Sequence, residues 1–312
     1  MSKIIETRIK MKGWIIYREN DSEIVSERFE VNRIIESAKK HNIELSVFKP
    51  EQFDLLVTSQ NRKSITIDGN VATLPDFVLP RMGAGTTYFA LAVIRHLERL
   101  GVPSINSSHP IEVVKDKLYS HQILSENNLP VPKTMLAKFP VNIDYIEQNI
   151  GFPAVIKTIS GTQGRGVFLA STRKEFSNIM ELIEITNAKV NIIIQEFIED
   201  SHGKDLRVLV VGGRAIACMK REAQGEAFKA NVSSGALATQ FDLTPEIEWL
   251  ATEACRVTGL DIAGVDLLFD KEHYKICEIN SSPGFKGLES CCDIDVASEI
   301  FQYLKIRFGR FQ

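Results

Sequence analysis

Two carboxylates and an amide stand close together near the end of the chain, in a pattern that can hold a metal ion. Asp266 lies in Gly264-Val265-Asp266-Leu267-Leu268-Phe269, and Glu278 and Asn280 lie in Tyr274-Lys275-Ile276-Cys277-Glu278-Ile279-Asn280-Ser281-Ser282-Pro283-Gly284. Both arms are rich in β-branched and aromatic residues, and Lys271, Glu272 and His273 read as a three-residue loop joining them into a β-hairpin. That pairing sets Asp266 opposite Glu278, with Asn280 two positions on and therefore on the same face. Like charges directly opposite destabilise a sheet by up to about 1 kcal/mol, so the arrangement asks for a cation. Few oxygen ligands suit magnesium, which takes one or two carboxylates and completes its octahedron with waters and phosphates, with manganese as the alternative ion. A hairpin with solvated acids is the plain reading of the same residues taken alone.

The rest of the chain must position these groups. At 312 residues it suits two or three packed subdomains, and 44% apolar with 25% charged residues is the composition of an ordinary globular protein. A net charge of −3 gives no electrostatic footprint for nucleic acid, so small molecules or protein tails are the expected partners. No apolar run approaches the roughly 18 residues of a membrane helix, and Met1-Ser2-Lys3-Ile4-Ile5-Glu6 lacks the apolar region of a signal peptide. The expected location is cytoplasmic, with no membrane association. Cys218, Cys255, Cys277, Cys291 and Cys292 form no C-x-x-C pair and read as reduced, structural thiols.

Residues 1–11 form a charged lead-in. A β-α-β unit follows, with a strand over 12–17, helical spacing of Val31, Ile34, Ile35 and Ala38, and a strand over 44–48. A further strand, 76–81, runs into Met82-Gly83-Ala84-Gly85-Thr86-Thr87 and a helix from about Tyr88 to Leu100, which predicts a parallel sheet flanked by helices. Arg81, at a strand's carboxyl end, is a candidate substrate contact. Asn106-Ser107-Ser108 caps a helix expected to run to about Glu126 through Lys117, a residue that reads equally as part of a solvated face. The expected organisation is an N-terminal α/β domain over 12–108, a central subdomain with the glycine-rich loop over 109–190 and a C-terminal subdomain with the metal site over 191–312.

The central piece carries a phosphate signal. The strand Ala154-Val155-Ile156-Lys157 leads into Ser160-Gly161-Thr162-Gln163-Gly164-Arg165-Gly166 and a second strand, Val167-Phe168-Leu169-Ala170. Closely spaced glycines let backbone N–H groups approach phosphate oxygens, and Lys157 adds a point charge. No Gly-Lys-Ser/Thr follows, so this is not a P-loop, and a plain hairpin turn accounts for the loop as well. Farther on come a strand ending in Gln195-Glu196-Phe197-Ile198, and a hairpin of Asp205-Leu206-Arg207 through Val211 with Ala215 through Arg221 around Gly212-Gly213. Arg207 and Arg221 read there as ordinary strand charges. A helix from about Pro245 to Thr258 precedes the metal hairpin, and an amphipathic helix over 294–308 closes the chain.

The order of these pieces is more specific than any one of them. Pro80-Arg81-Met82-Gly83, Lys115-Asp116-Lys117, Gly161-Thr162-Gln163-Gly164, Ala263-Gly264-Val265-Asp266 and Glu278-Ile279-Asn280-Ser281-Ser282-Pro283-Gly284 together resemble the ATP-grasp superfamily and, within it, the RimK-type α-L-glutamate ligases. The resemblance covers nearly the whole chain from about residue 12. It implies an α/β and α+β fold: a Rossmann-like pre-ATP-grasp domain, a central lid subdomain and a C-terminal α+β subdomain, with ATP between the last two.

By position, the resemblance implies that Lys117, Lys157 and Lys229 contact the nucleotide phosphates and that the loop of Gly161, Thr162, Gln163, Gly164 and Gly166 closes over them. It puts Glu196, Phe197 and Ile198 at the adenine, Gln195 among the nucleotide contacts and Asp205 near the ribose. Asp266, Glu278 and Asn280 would hold magnesium, with Asn231 close by. Arg221, Lys157 and Asn231 form the implied catalytic set, Arg221 steadying an acylphosphate or tetrahedral oxyanion. The implied reaction activates an acceptor carboxylate with ATP and joins it to the amino group of L-glutamate. The acceptors it admits are a protein or peptide C-terminus and a small acid, and a homo-oligomer is compatible with all of this. Val232-Ser233-Ser234-Gly235-Ala236 departs from the ribosomal-tail-modifying members, which carry a basic residue and two glycines there, and Lys229 replaces an arginine. A ligase for another amino acid, a kinase-like phosphotransferase and a non-catalytic nucleotide-binding protein are the competing readings.

Overall fold

The computed structural model describes residues 11–18, 29–59, 64–158, 166–187, 190–225 and 235–308. The chain divides into two compact units, one of Met1–His109, Gly284–Lys286 and Asp295–Gln312, the other of Pro110–Pro283 and Gly287–Ile294.

In the first unit, β1 (Met11–Ile16) is flanked in parallel by β2 (Ile43–Phe48) and β6 (Phe77–Pro80). A small antiparallel sheet of β3 (Phe53–Leu55), β4 (Ile65–Ile67) and β5 (Asn70–Val71) lies beside it in the chain. β6 is buried on both faces, which is why it reads as an unbroken apolar run, and in β1 only Lys12 is exposed. Trp14, Ile16, Phe53, Val78, Val93 and Leu97 fill one core, the last two from α2 (Tyr88–Arg99). Gly13 has no alternative, because a Cβ there would lie 2.3 Å from the Phe77 ring. α1 (Phe29–Lys40) packs against the last helix, α9 (Val296–Arg307), so that helix belongs to this unit and not to the C-terminal subdomain with which the sequence grouped it.

The second unit opens with a correction. The helix expected to continue to Glu126 is two helices, α3 (Ser108–Lys115) and α4 (Lys117–Glu126). Asp116 stands between them in an extended conformation, its carboxylate accepting from the N–H groups of Leu118 and Tyr119. An aspartate that can cap a new helix competes with helix continuation, and here the cap wins. It places Lys117 in the first turn of α4.

Two antiparallel sheets follow. β7 (Thr134–Leu136), β10 (Ile192–Glu196), β8 (Ala154–Thr158) and β9 (Val167–Ala170) lie in that order. One face packs Ala154, Ile156, Ile192 and Ile194 against Ile146 of α5 (Ile143–Asn149) and Phe176 and Met180 of α6 (Arg173–Asn187). The alternate residues Val155, Lys157, Ile193 and Gln195 therefore point from the opposite face. The second sheet runs β13 (Leu237–Gln240), β12 (Arg214–Glu222), β11 (Lys204–Val211), β14 (Ile262–Asp270), β15 (His273–Asn280). Leu206, Val208, Val210, Val265, Leu267 and Ile279 pack against α7 (Pro245–Thr258), which Thr244 caps at its start and Gly259, at φ 76°, ends. The short helix α8 (Lys286–Cys291) comes after the sheet.

The hairpin of β14 and β15 reaches its expected pairing by another route. Asp270 pairs with His273, so the loop has two residues, Lys271 and Glu272, with Lys271 at φ 57°. A two-residue loop alone would put Cys277 opposite Asp266. The register shifts between Asp266 and Leu267, which pair with Glu278 and Ile276, and Cys277 is left as the extra residue of a β-bulge. The bulge restores the pairing of Asp266 with Glu278, and of Gly264 with Asn280.

Candidate active site

One face of the five-stranded sheet carries a continuous row of charge. β11 presents Asp205 and Arg207 two positions apart, opposite Arg221 of β12 and Asp266 of β14 respectively. Arg207 donates to both oxygens of Asp266, Nε to Oδ1 at 2.7 Å and Nη2 to Oδ2 at 2.7 Å. Arg221 donates likewise to Asp205, at 2.7 and 2.5 Å, and its Nη2 also lies 3.0 Å from Asp266 Oδ2. The result is an alternating chain, Asp205, Arg221, Asp266, Arg207, in which only 4% of the Arg221 side chain and 8% of Asp266 are exposed. Burial pushes the Asp266 carboxyl up, but Arg207 and Arg221 outweigh it and hold it below its ordinary value. Burial would lower the Arg221 guanidinium, and Asp266 and Asp205 raise it instead. Desolvation pushes Asp205 up against the pull of Arg221. Such a row is costly unless every member is paired, and here each is.

A second polar group surrounds Lys157. Its Nζ donates to Gln195 Oε1 at 2.6 Å and lies 3.7 Å from Cys277 Sγ. Gln195 is held in turn by donating Nε2 to Thr134 Oγ1 at 2.8 Å. Glu196, at the end of β10, accepts from Lys275 Nζ at 2.7 Å and from the Lys133 N–H at 2.9 Å. Phe197 meets His202 edge to face at 5.7 Å, and Ile198 is buried. Lys117 lies one turn before His121 on α4.

Several expected site residues are thus brought into two groups, Lys157 with Gln195, and Asp205, Arg221 and Asp266 together. Gly166, at φ 74°, immediately precedes β9, and a Cβ there would meet Thr158 Oγ1 at 2.5 Å. Gly161, Thr162, Gln163, Gly164, Lys229 and Asn231 lie outside the described residues. Arg207, read from the sequence as an ordinary strand charge, is instead the bidentate partner of Asp266. His121 and Thr134 carry no sequence signal, since their partners are distant in the chain.

Among solved structures, the chain resembles the ATP-grasp ligase PsnB complexed with a phosphomimetic variant of minimal precursor, Mg and ADP, with a TM-score of 0.73 at 17% identity over 96% of this chain and 99% of that one. It also resembles D-alanine–D-alanine ligase from Bacillus anthracis complexed with ATP, with a TM-score of 0.66 at 18% identity over 97% of this chain and 100% of that one. The fold is ATP-grasp. In sequence, residues 23–111 match the RimK PreATP-grasp domain and residues 114–304 the RimK-like ATP-grasp domain. A "Probable alpha-L-glutamate ligase" of Marinomonas sp. (strain MWYL1) is 40% identical over 279 residues, 89% of this chain and 91% of that protein. The chain belongs to the RimK-like ATP-grasp family. It is an ATP-dependent, ADP-forming acid–amino-acid ligase. Among the described residues, no helix is long and apolar enough to cross a membrane.

Proposed function

We propose that the chain joins L-glutamate, through its amino group, to the carboxylate of an acceptor that ATP has first phosphorylated. The name of the Marinomonas relative supports the choice of glutamate, and the precursor in the PsnB complex makes a peptide a suitable class of acceptor. A cytoplasmic setting, where ATP is available and the thiols stay reduced, belongs to the same reading.

The observation that carries this reading is the pair of arginines on Asp266. Each guanidinium uses Nε and Nη2 on carboxylates, so Nη1 of Arg221 and of Arg207 makes no hydrogen bond among the described residues. Two rigidly held cationic donors with unused N–H groups suit an anionic transition state, because they need no reorganisation when charge develops. In the first step an acceptor carboxylate oxygen attacks the γ-phosphorus, ADP leaves, and an acylphosphate forms. In the second the amine attacks the acyl carbon, Arg221 Nη1 stabilises the oxyanion, and phosphate departs as the amide forms. Lys157 has three N–H groups and spends two on Gln195 and Cys277, which leaves one for a phosphate oxygen.

Asp266, Glu278 and Asn280 fit a hard divalent cation. The arginines occupy one lone pair of Asp266 Oδ1 and two of Oδ2, so Oδ1 retains one. The Glu278 carboxylate has no partner among the described residues, which leaves its oxygens for a cation; Asn280 would offer its amide oxygen, since its Nδ2, buried and without a hydrogen bond among the described residues, is a donor and cannot ligate one. Magnesium there, or manganese, would neutralise charge on the transferring phosphoryl group.

The test is phosphate release from Mg-ATP with each proteinogenic amino acid, with and without a pool of acidic peptides and small acids, followed by mass spectrometry. Glutamate-dependent release with a product heavier by one or more glutamyl units is the expected result. Release indifferent to every amino acid, with a phosphorylated product, would replace the ligase reading with a kinase-like one.

A further inference from the structure

The bulge at Cys277 puts Glu278 on the same face as Asp266, and something must hold it. A bulged residue leaves the ladder locally unpaired, and a buried carbonyl without a partner is costly. The partner of this carbonyl comes from α4: His121 Nε2 donates to Cys277 O at 3.0 Å across 156 residues of sequence. The neighbouring Ile276 N–H is likewise satisfied outside the sheet, by Pro130 O at 2.8 Å. His121 is buried, and desolvation lowers its pKa to about 4, so near neutral pH it is an imidazole with one donor. A carbonyl can only accept, which puts the hydrogen on Nε2 and makes Nδ1 an acceptor.

Nδ1 lies 3.2 Å from Thr134 Oγ1, whose single hydrogen can be donated to it or to Pro132 O, at 2.9 Å. Thr134 Oγ1 accepts from Gln195, Gln195 accepts from Lys157, and Lys157 returns to the Sγ of Cys277. The contacts close a ring through α4, β7, β10, β8 and β15. Its two outputs are the orientation of Lys157 and the backbone position of Cys277, the residue before Glu278.

We infer that His121 is a positioning residue for nucleotide and metal: it closes this ring, pins the bulge that turns Glu278 toward Asp266, and fixes Lys157 in the same step. The inference rests on the proposed roles of Lys157 and Glu278. It assigns to His121 no contact with substrate.

His121→Leu and Thr134→Val each break the ring at a different point. Each should raise KM for ATP and the free magnesium needed for half-maximal activity by about tenfold, the effect of one lost buried hydrogen bond, and leave KM for the amino acid unchanged. Thr258→Val is the control, since Thr258 is equally buried but bonds only within α7, to Ala254 O at 2.7 Å. Folded ring variants with unchanged ATP and magnesium dependence would overturn the inference, as would an equal shift in Thr258→Val. Should both ring variants fail to fold, ring-nitrogen NMR of the unaltered protein still decides: a neutral Nε2–H tautomer for His121 is expected, and a neutral Nδ1–H tautomer would overturn the ring. Lys157→Met and Glu278→Gln separate the two levels. Normal ATP and magnesium dependence in those variants would remove the underlying site, whereas their loss of activity beside an unmoved His121→Leu would remove the ring alone.

Discussion

Arg221 clasps Asp205 with Nε and Nη2, at 2.7 and 2.5 Å, and the two residues face each other directly across β12 and β11. The family resemblance implies a nucleotide ribose beside Asp205. Each of its oxygens keeps a lone pair after the arginine is satisfied, so a hydroxyl can still donate there. Its structural partner, however, is the residue proposed to stabilise the oxyanion. Asp205 therefore orients Arg221 whatever else it binds.

Removing that arginine leaves a buried carboxylate without its partner. Arg221→Ala should lower stability by about 3–5 kcal/mol, read by urea unfolding. Arg221→Lys keeps the charge but not the fork, so it should fold, bind ATP normally and form amide about 100-fold more slowly. An equal loss of ATP affinity in that variant would count against the proposed role.

Glu278 is partly exposed and unpaired among the described residues, so its replacement by an isosteric amide should not disturb packing. Glu278→Gln is expected to match the unaltered protein in thermal melting and to lose at least about 100-fold in phosphate release. Near-normal turnover at ordinary magnesium would sink its assignment as a metal ligand.

The His121 imidazole titrates at about 4 in the folded protein, because of burial, and near 6.5 otherwise. As pH falls through 6.5 the unfolded chain takes up a proton that the folded chain refuses until about 4. Stability from this group is therefore complete above 6.5 and falls across that window, by about 3 kcal/mol at its acid end. His121→Leu should flatten this part of the curve in urea titrations between pH 7 and pH 4.5. Asp266 is depressed below its ordinary value despite burial, so its contribution is lost only in stronger acid.

Gly264 pairs with Asn280 and sits under the turn that follows it. A Cβ there would lie 2.7 Å from Pro283 Cβ and 3.6 Å from Arg207 Nε. Gly264→Ala should cost about 1–3 kcal/mol by overpacking, seen as a lowered melting temperature. An unchanged melting temperature would mean that the Ser281-Ser282-Pro283 turn yields freely.

The sequence carried what local chemistry dictates. Alternation in β14 and β15 put Asp266 and Glu278 on one face, and the helix read from about Pro245 to Thr258 is α7, which Thr244 caps and Gly259 ends. The opposition of Asp266 and Glu278 was legible too, though through a three-residue loop where the fold uses a shorter loop and a bulge. The two routes give the same register because one extra residue can be placed at the turn or in the strand. The break at Asp116 was less legible, since an aspartate can sit within a helix or cap the next one.

Sequence alone determined the family and the order of the principal elements, because backbone propensity and motif spacing act over short stretches of chain. Only tertiary structure decided that Arg207 belongs to Asp266, that Arg221 belongs to Asp205, and that a histidine on α4 holds a carbonyl 156 residues away. Those partnerships arise when burial removes water as the alternative partner, and burial is a property of the assembled fold.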